Sequence, residues 1–417
     1  MSRKSPLIII GLLFFIFGFI TWLNSALVPF LKIACELNNF GSYFVTFVFY
    51  IAYFIFAIPS AKIIDRIGYR RSISLGLGVM ALGGLFFIPA AMTRFYLFFL
   101  TGLFLMGAGL ALLQTAANPY AAVLGSPQTA ARRIGIMGMC NKFAGILAPL
   151  FLGALVLKEA SVVKDRIENT ALSVLERNGM LDALAGKCLL PYIGIVLALI
   201  LLAFLVSRSD LPEMAGKTDE GLENNEGPGL KLFSRPRLWG GVLALFFYVG
   251  AEVISVDSLI NYAQSYGISA YAAKIFPSLS MLAFLIGYLI GVVGIPRWFS
   301  QRSALILSAM GSLVVVAATL LASGMASVYF LVWLGLTNAM IWPSVWGLAI
   351  EGLGRHTSTG SSLLIMAIVG GALLPLLFGY AVDTAGFRRA YLLLFPCYLI
   401  ILLYGLLCGR PVSCRNK

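Results

Sequence analysis

Apolar residues in this chain do not alternate with polar ones, nor do they recur only on one face of a helix; they run on. Stretches of about 20 uncharged residues, the length at which a helix crosses a bilayer core of about 30 Å, are parted by short polar or basic segments. Twelve such helices are predicted, at 7–31, 42–63, 72–92, 95–123, 134–157, 189–207, 238–262, 271–295, 303–323, 327–351, 361–382 and 391–407. Helices that are hydrophobic all round have no face for water, so the pattern predicts an all-α membrane protein. The basic start, Met1 to Lys4, has the look of a signal peptide, but the apolar run behind it is long and lacks a small-residue cleavage site. It is read as a membrane helix.

One soluble segment interrupts the pattern at mid-chain, 208–237, rich in Asp, Glu, Asn, Gly and Pro. It divides the chain into a six-helix half at 1–207, a linker, and a second six-helix half at 238–417. Within the linker, Ala215 to Thr218 reads AGKT, yet the first glycine of a phosphate-binding loop would fall at Leu211 and no strand precedes it. No ATP site is expected there. The halves echo each other: GILAPLFLG from Gly145 and GALLPLLFG from Gly371 share G-x-x-x-P-x-x-x-G at a constant offset of 226. Spaced glycines open a face for close helix contact, and the proline interrupts the backbone ladder. Pro119 and Pro343 are similarly paired just before these segments. Proline-interrupted helices at matching places in two halves predict a transporter that rocks the halves about a central site.

Composition agrees: 60% of the residues are hydrophobic and 11% charged, against about 25% charged in soluble domains. The net charge of +13 is mostly topology. With a cytoplasmic N-terminus, nineteen of the 30 Lys and Arg fall on the cytoplasmic side and ten on the other, five of those in one loop of about 30 residues near 158–188. That asymmetry orients the chain with both termini inside and removes the argument for a nucleic-acid partner. The one cation left over is Lys142, inside the fifth helix. The six cysteines make no disulfide framework, although Cys35 and Cys188 fall on the same side. His356 is the only histidine. Neither metal nor cofactor nor enzymatic chemistry is expected.

The loop after the second helix, AKIIDRIGYRR from Ala61, resembles the cytoplasmic signature of the major facilitator superfamily. Asp65, Arg66, Gly68, Arg70 and Arg71 match, while Ala61 replaces the first glycine. As a gate, Asp65 would pair with arginine and sit against a neighbouring helix end, holding the cytoplasmic side shut. Four further segments, FGFITWLNSALVPFL, LLQTAANPYAAVLG, FYVGAEVISVDSLINY and IWPSVWGLAIEGLGRHTSTGSSLL, together resemble the fucose–proton symporter family, which includes bacterial glucose and galactose transporters. The likeness spans nearly the whole chain. It implies a multi-pass protein of the bacterial inner membrane, expected to be monomeric, that imports a neutral hexose such as glucose, galactose or fucose with H⁺ or Na⁺.

The residues themselves fit such a cargo. Asn24, Gln114, Asn118, Asn141, Asn261 and Asn338 put carboxamides inside apolar helices, where sugar hydroxyls are suitable partners. Trp22, Tyr248 and Trp342 offer aromatic faces to a sugar ring. Two departures weigh against simple transfer of the family's coupling: where the resemblance leads one to expect an aspartate and a glutamate, this chain has Ser25 and Gln114. Neither titrates. The intramembrane charges are instead Lys142, Glu252 and Asp257, expected to balance one another across a central cavity, with either carboxylate as the lysine's partner. Symport with a cation, facilitated diffusion, and export of amphipathic compounds by a related transporter all remain open at this point.

Overall fold

The structure, a computed structural model, describes residues 5–123, 130–169, 172–209, 235–295, 298, 300–351, 353 and 357–408. These residues form helices and turns, with no strand among them. Twelve helical units are long and apolar enough to span a bilayer. The first six are Ile9–Ala34, Asn39–Ile64, Tyr69–Thr93, Tyr96–Ala117, Ile136–Ile167 and Val174–Ser207. The last six are Pro236–Asp257, Ala270–Gly294, Gln301–Leu321, Met325–Ile350, Leu363–Ala385 and Phe387–Leu407. Most of their ends lie within a few residues of the predicted ones. The predicted linker lies largely outside the described residues.

The segment near 158–188, read from sequence as a loop, is helical. Lys158–Asn169 continues the fifth span through a single π turn at Gly153–Leu157. Val174–Gly186 then forms the first part of the sixth span. Its start is fixed by a reciprocal cap, in which Ser173 Oγ accepts from the Glu176 amide and the Glu176 carboxylate accepts from the Ser173 amide at 3.0 Å. Charge density hid these helices: Glu159, Lys164, Asp165 and Arg166 break the apolar run without breaking the helix.

Two spans are interrupted where it matters. The first bends at Leu23, between Ser5–Trp22 and Asn24–Ala34, where Ser25 Oγ donates to the Trp22 carbonyl at 2.8 Å. The helix Pro236–Asp257 ends at Ser258, whose Oγ donates to the Ile254 carbonyl at 2.6 Å, and a short helix, Leu259–Gln264, follows. Hydroxyls that bond back onto the preceding turn commonly bend helices in this way. The interior is built from the fourth, seventh and eleventh spans, each 67% buried, whereas the sixth and ninth turn most of their surface outward, at 39% and 33%. The second span packs along the eleventh and the fifth along the eighth, so these two pairs join the first six spans to the last six.

Candidate functional site

Lys142 sits in the helix Ala130–Leu152 with its side chain 7% exposed, and its ammonium contacts Glu252 Oε1 of the seventh span. That carboxylate is 10% exposed. The ammonium also lies over two rings, 4.4 Å from Trp22 and 4.2 Å from Phe284. Four spans therefore meet at one cation: the first through Trp22, the fifth through Lys142, the seventh through Glu252 and the eighth through Phe284. A buried ammonium is tolerable only when charge-paired, and the two ring faces supply further negative potential.

Backbone approach makes this meeting possible. A Cβ on Gly18 would stand 2.0 Å from the Asn141 carbonyl oxygen, so the first and fifth spans touch main chain to main chain at the residue beside Lys142. On the other side of the fifth span, Ser278 Oγ donates to the Ile146 carbonyl at 2.7 Å. Asn141 is held in turn by Trp22, whose Nε1 donates to Asn141 Oδ1 at 3.3 Å. Gln114 Nε2 donates to the Tyr53 hydroxyl at 3.3 Å. Asn24, immediately after the bend in the first span, is 1% exposed and its Nδ2 has no partner.

The other sequence candidates are spread more widely. Tyr248, one turn before Glu252 on the seventh span, lies beside that carboxylate; its ring is tilted at 48° to Trp342 with centroids 6.3 Å apart, and Trp342 stacks on Trp346 at 5.6 Å. Asn338 accepts from Ser312 Oγ at 3.4 Å between the ninth and tenth spans, the arrangement of interhelical glue, and lies beside the Tyr398 hydroxyl, while its Nδ2 has no partner. Asp257 does not join Lys142; its Oδ2 accepts from Thr46 Oγ1 at 3.3 Å, and Asn261 lies one turn further on. The Asn118 side chain lies outside the described residues.

Of the signature after the second span, the Asp65 side chain also lies outside the described residues. Gly68 joins the second and third spans at φ +81°, a conformation that residues with a Cβ rarely adopt. Arg66 and Arg71 are exposed, and Arg70 Nη1 donates to the Ser209 carbonyl at 3.2 Å. At the opposite face, Asp383, which by its place near a helix end could simply be solvated, instead caps the start of the second span from the end of the eleventh. Its Oδ1 accepts from Asn39 N at 3.1 Å and Asn39 Nδ2 at 2.6 Å, and its Oδ2 from Phe40 N at 2.7 Å. Sequence inspection also missed Gly18, Thr46, Tyr53 and Phe284. A glycine in an apolar helix, or a hydroxyl in one, gives no hint of which neighbour it meets.

Residues 10–368 match the family model for the Major Facilitator Superfamily. A glucose/galactose transporter of Brucella abortus biovar 1 (strain 9-941) is 34% identical over 399 residues, covering 95% of this chain and 92% of the relative. The L-fucose-proton symporter of Escherichia coli (strain K12) is 30% identical over 409 residues, covering 96% and 92%. Among solved structures, the crystal structure of the major facilitator superfamily transporter FucP in the outward conformation superposes with a TM-score of 0.75 at 29% identity, over 98% of this chain and 100% of that one. These relatives are transporters and not enzymes.

Proposed function

This chain belongs to the major facilitator superfamily, and on that premise we propose that it imports a neutral monosaccharide by alternating access, coupled to a monovalent cation. The named relatives act on glucose, galactose and fucose; the cargo of this protein is accordingly a hexose. The observation that carries the reading is the Lys142–Glu252 pair, buried between spans of the first and second halves and flanked by the rings of Trp22 and Phe284, with Asn141 bonded to the Trp22 indole. An intramembrane ion pair is costly to maintain and marks a working site by default. Sugar hydroxyls, both donors and acceptors, match Gln114, Asn24, Asn141 and the pair itself, while Trp22 offers its ring to the apolar face of the sugar.

In this reading the protein sits in the bacterial inner membrane with both termini cytoplasmic, following the Lys and Arg asymmetry. The Asp383 cap then serves as the outer gate, and Asp65 at the other end of the second span serves the inner gate. The two aspartates lie on partner helices, the second and eleventh spans, which pack against each other. Opening one end while closing the other is what rocking about a central site requires. Counterflow of radiolabelled D-glucose, D-galactose and L-fucose into proteoliposomes preloaded with the same sugar tests the function. Transient accumulation of at least one, blocked by excess unlabelled sugar, is expected. Absence of counterflow for all hexoses by correctly folded protein overturns it.

A further inference from the structure

Asp257 is 2% exposed, and among the described residues no lysine or arginine makes an ion pair with it. Its one hydrogen bond is a long one, from Thr46 Oγ1 at 3.3 Å. Glu252, five residues earlier on the same helix, has its own cation in Lys142. A buried carboxylate without a counter-charge is unfavourable, so something else must neutralise it.

The surroundings indicate what. Tyr43 and Thr46 project from the second span, three residues apart, and Asn261 follows Asp257 by one helical turn. All are buried, at 0%, 0% and 3% exposure. The Tyr43 hydroxyl lies beside the Asn261 carboxamide, at a geometry that leaves the hydroxyl and both carboxamide atoms without a formed hydrogen bond. Such atoms occur elsewhere in the molecule as well; these are the ones that stand next to an unpaired buried carboxylate, where a ligand can satisfy them and the charge together. A carboxylate, two hydroxyls and a carboxamide make an all-oxygen set, which suits a hard cation. One carboxylate balances one positive charge, and no group of three acidic, histidine or cysteine residues suited to a heavier metal occurs among the described residues. A proton alone would neutralise Asp257 but would not draw the Tyr43 hydroxyl and the Asn261 carboxamide oxygen towards it. The helix also breaks at Ser258, directly after Asp257; interrupted helices are where transporters expose backbone carbonyls to a coupling ion.

We propose that Asp257, Thr46, Tyr43 and Asn261 form a Na⁺ site, distinct from the Lys142–Glu252 pair, that links the second span to the seventh when occupied. The proposal rests on the transport reading only for its coupling role. Its position explains that role: the Tyr43 ring meets Phe378 of the eleventh span edge-on at 5.6 Å, close to the joint that Asp383 makes with Asn39 and Phe40. Binding Na⁺ draws the second and seventh spans together next to that joint and so favours closure of the same face.

The test begins with Na⁺ alone. Unfolding of the purified protein is followed in NaCl, KCl and choline chloride at equal ionic strength, without sugar. A Na⁺-specific rise in the unfolding temperature that saturates with concentration is expected. It should vanish in Asp257→Asn, shift to at least tenfold higher Na⁺ in Thr46→Val, and persist in Gln114→Leu. In proteoliposomes, an inward Na⁺ gradient should concentrate sugar several-fold over a choline control. Equal stabilisation by all three salts overturns the site, as does a Na⁺ effect undiminished in Thr46→Val. Concentrative uptake driven by a pH gradient with no response to Na⁺ makes H⁺ the coupled ion and also overturns it. Absence of counterflow for every sugar, together with a Na⁺-specific thermal shift, would defeat the transport reading and leave the site standing.

Discussion

Replacing Lys142 by methionine removes the ammonium and keeps most of the stem. Both members of the pair are at least nine-tenths buried, with 7% and 10% of their side chains exposed. Removing one partner of such a pair costs about 3–5 kcal/mol, chiefly because the remaining charge is left buried alone. Methionine recovers part of this, since its sulfur occupies the space between Trp22 and Phe284 and sulfur–aromatic contacts are worth about 0.3–1.5 kcal/mol. The net expectation is a loss of about 1.5–4.7 kcal/mol. Adding Glu252→Gln removes the stranded charge, so the double variant should return to wild-type stability or exceed it. Asp257→Asn, at the carboxylate that does not touch Lys142, should add its own effect without rescue. Denaturant unfolding of detergent-solubilised protein measures all four, and concentrative uptake should fail in the single lysine variant. A Lys142→Met protein as stable and as active as wild type, or one rescued by Asp257→Asn, would refute the pairing argument.

Three further outcomes are expected. Gln114→Leu and Asn141→Leu should each weaken sugar binding by about 0.5–1.5 kcal/mol, roughly 2- to 13-fold by calorimetry, and unchanged affinity in both would remove them from the site. Asp383→Asn should speed hydrogen exchange at the Asn39 and Phe40 amides, which the carboxylate now holds; unaltered protection would show that the cap does not fasten this face. Asp65→Asn should keep sugar affinity but slow exchange across the membrane, because it weakens a contact made in one conformation only, and wild-type exchange rates would reduce the loop to a topology signal.

Much of the architecture was legible from residues alone, because a bilayer permits few solutions to backbone hydrogen bonding. Twelve apolar runs became twelve spans, and the lone intramembrane cation drew attention to Lys142 at once. What sequence left open was partnership. Glu252 and Asp257 are equally apolar in context, and only the packing of the fifth span beside the seventh and eighth shows which carboxylate the lysine reaches. The helices at Lys158–Asn169 and Val174–Gly186 were hidden because their charges resemble a loop's. Thr46 and Tyr43 were hidden for the opposite reason: a hydroxyl within an apolar helix is ordinary until a carboxylate from another span is found beside it. Asn338 shows the converse, a buried carboxamide whose oxygen the fold engages between helices.

A hexose bound between the two halves at the Lys142–Glu252 pair should be visible in a cryo-electron-microscopy map of the protein saturated with a sugar that gives counterflow. Density for one sugar ring is expected within hydrogen-bond distance of Gln114 and Asn141, against the Trp22 ring and beside Lys142 and Glu252. A sugar resolved elsewhere in the protein, with this space filled only by side chains, would contradict it.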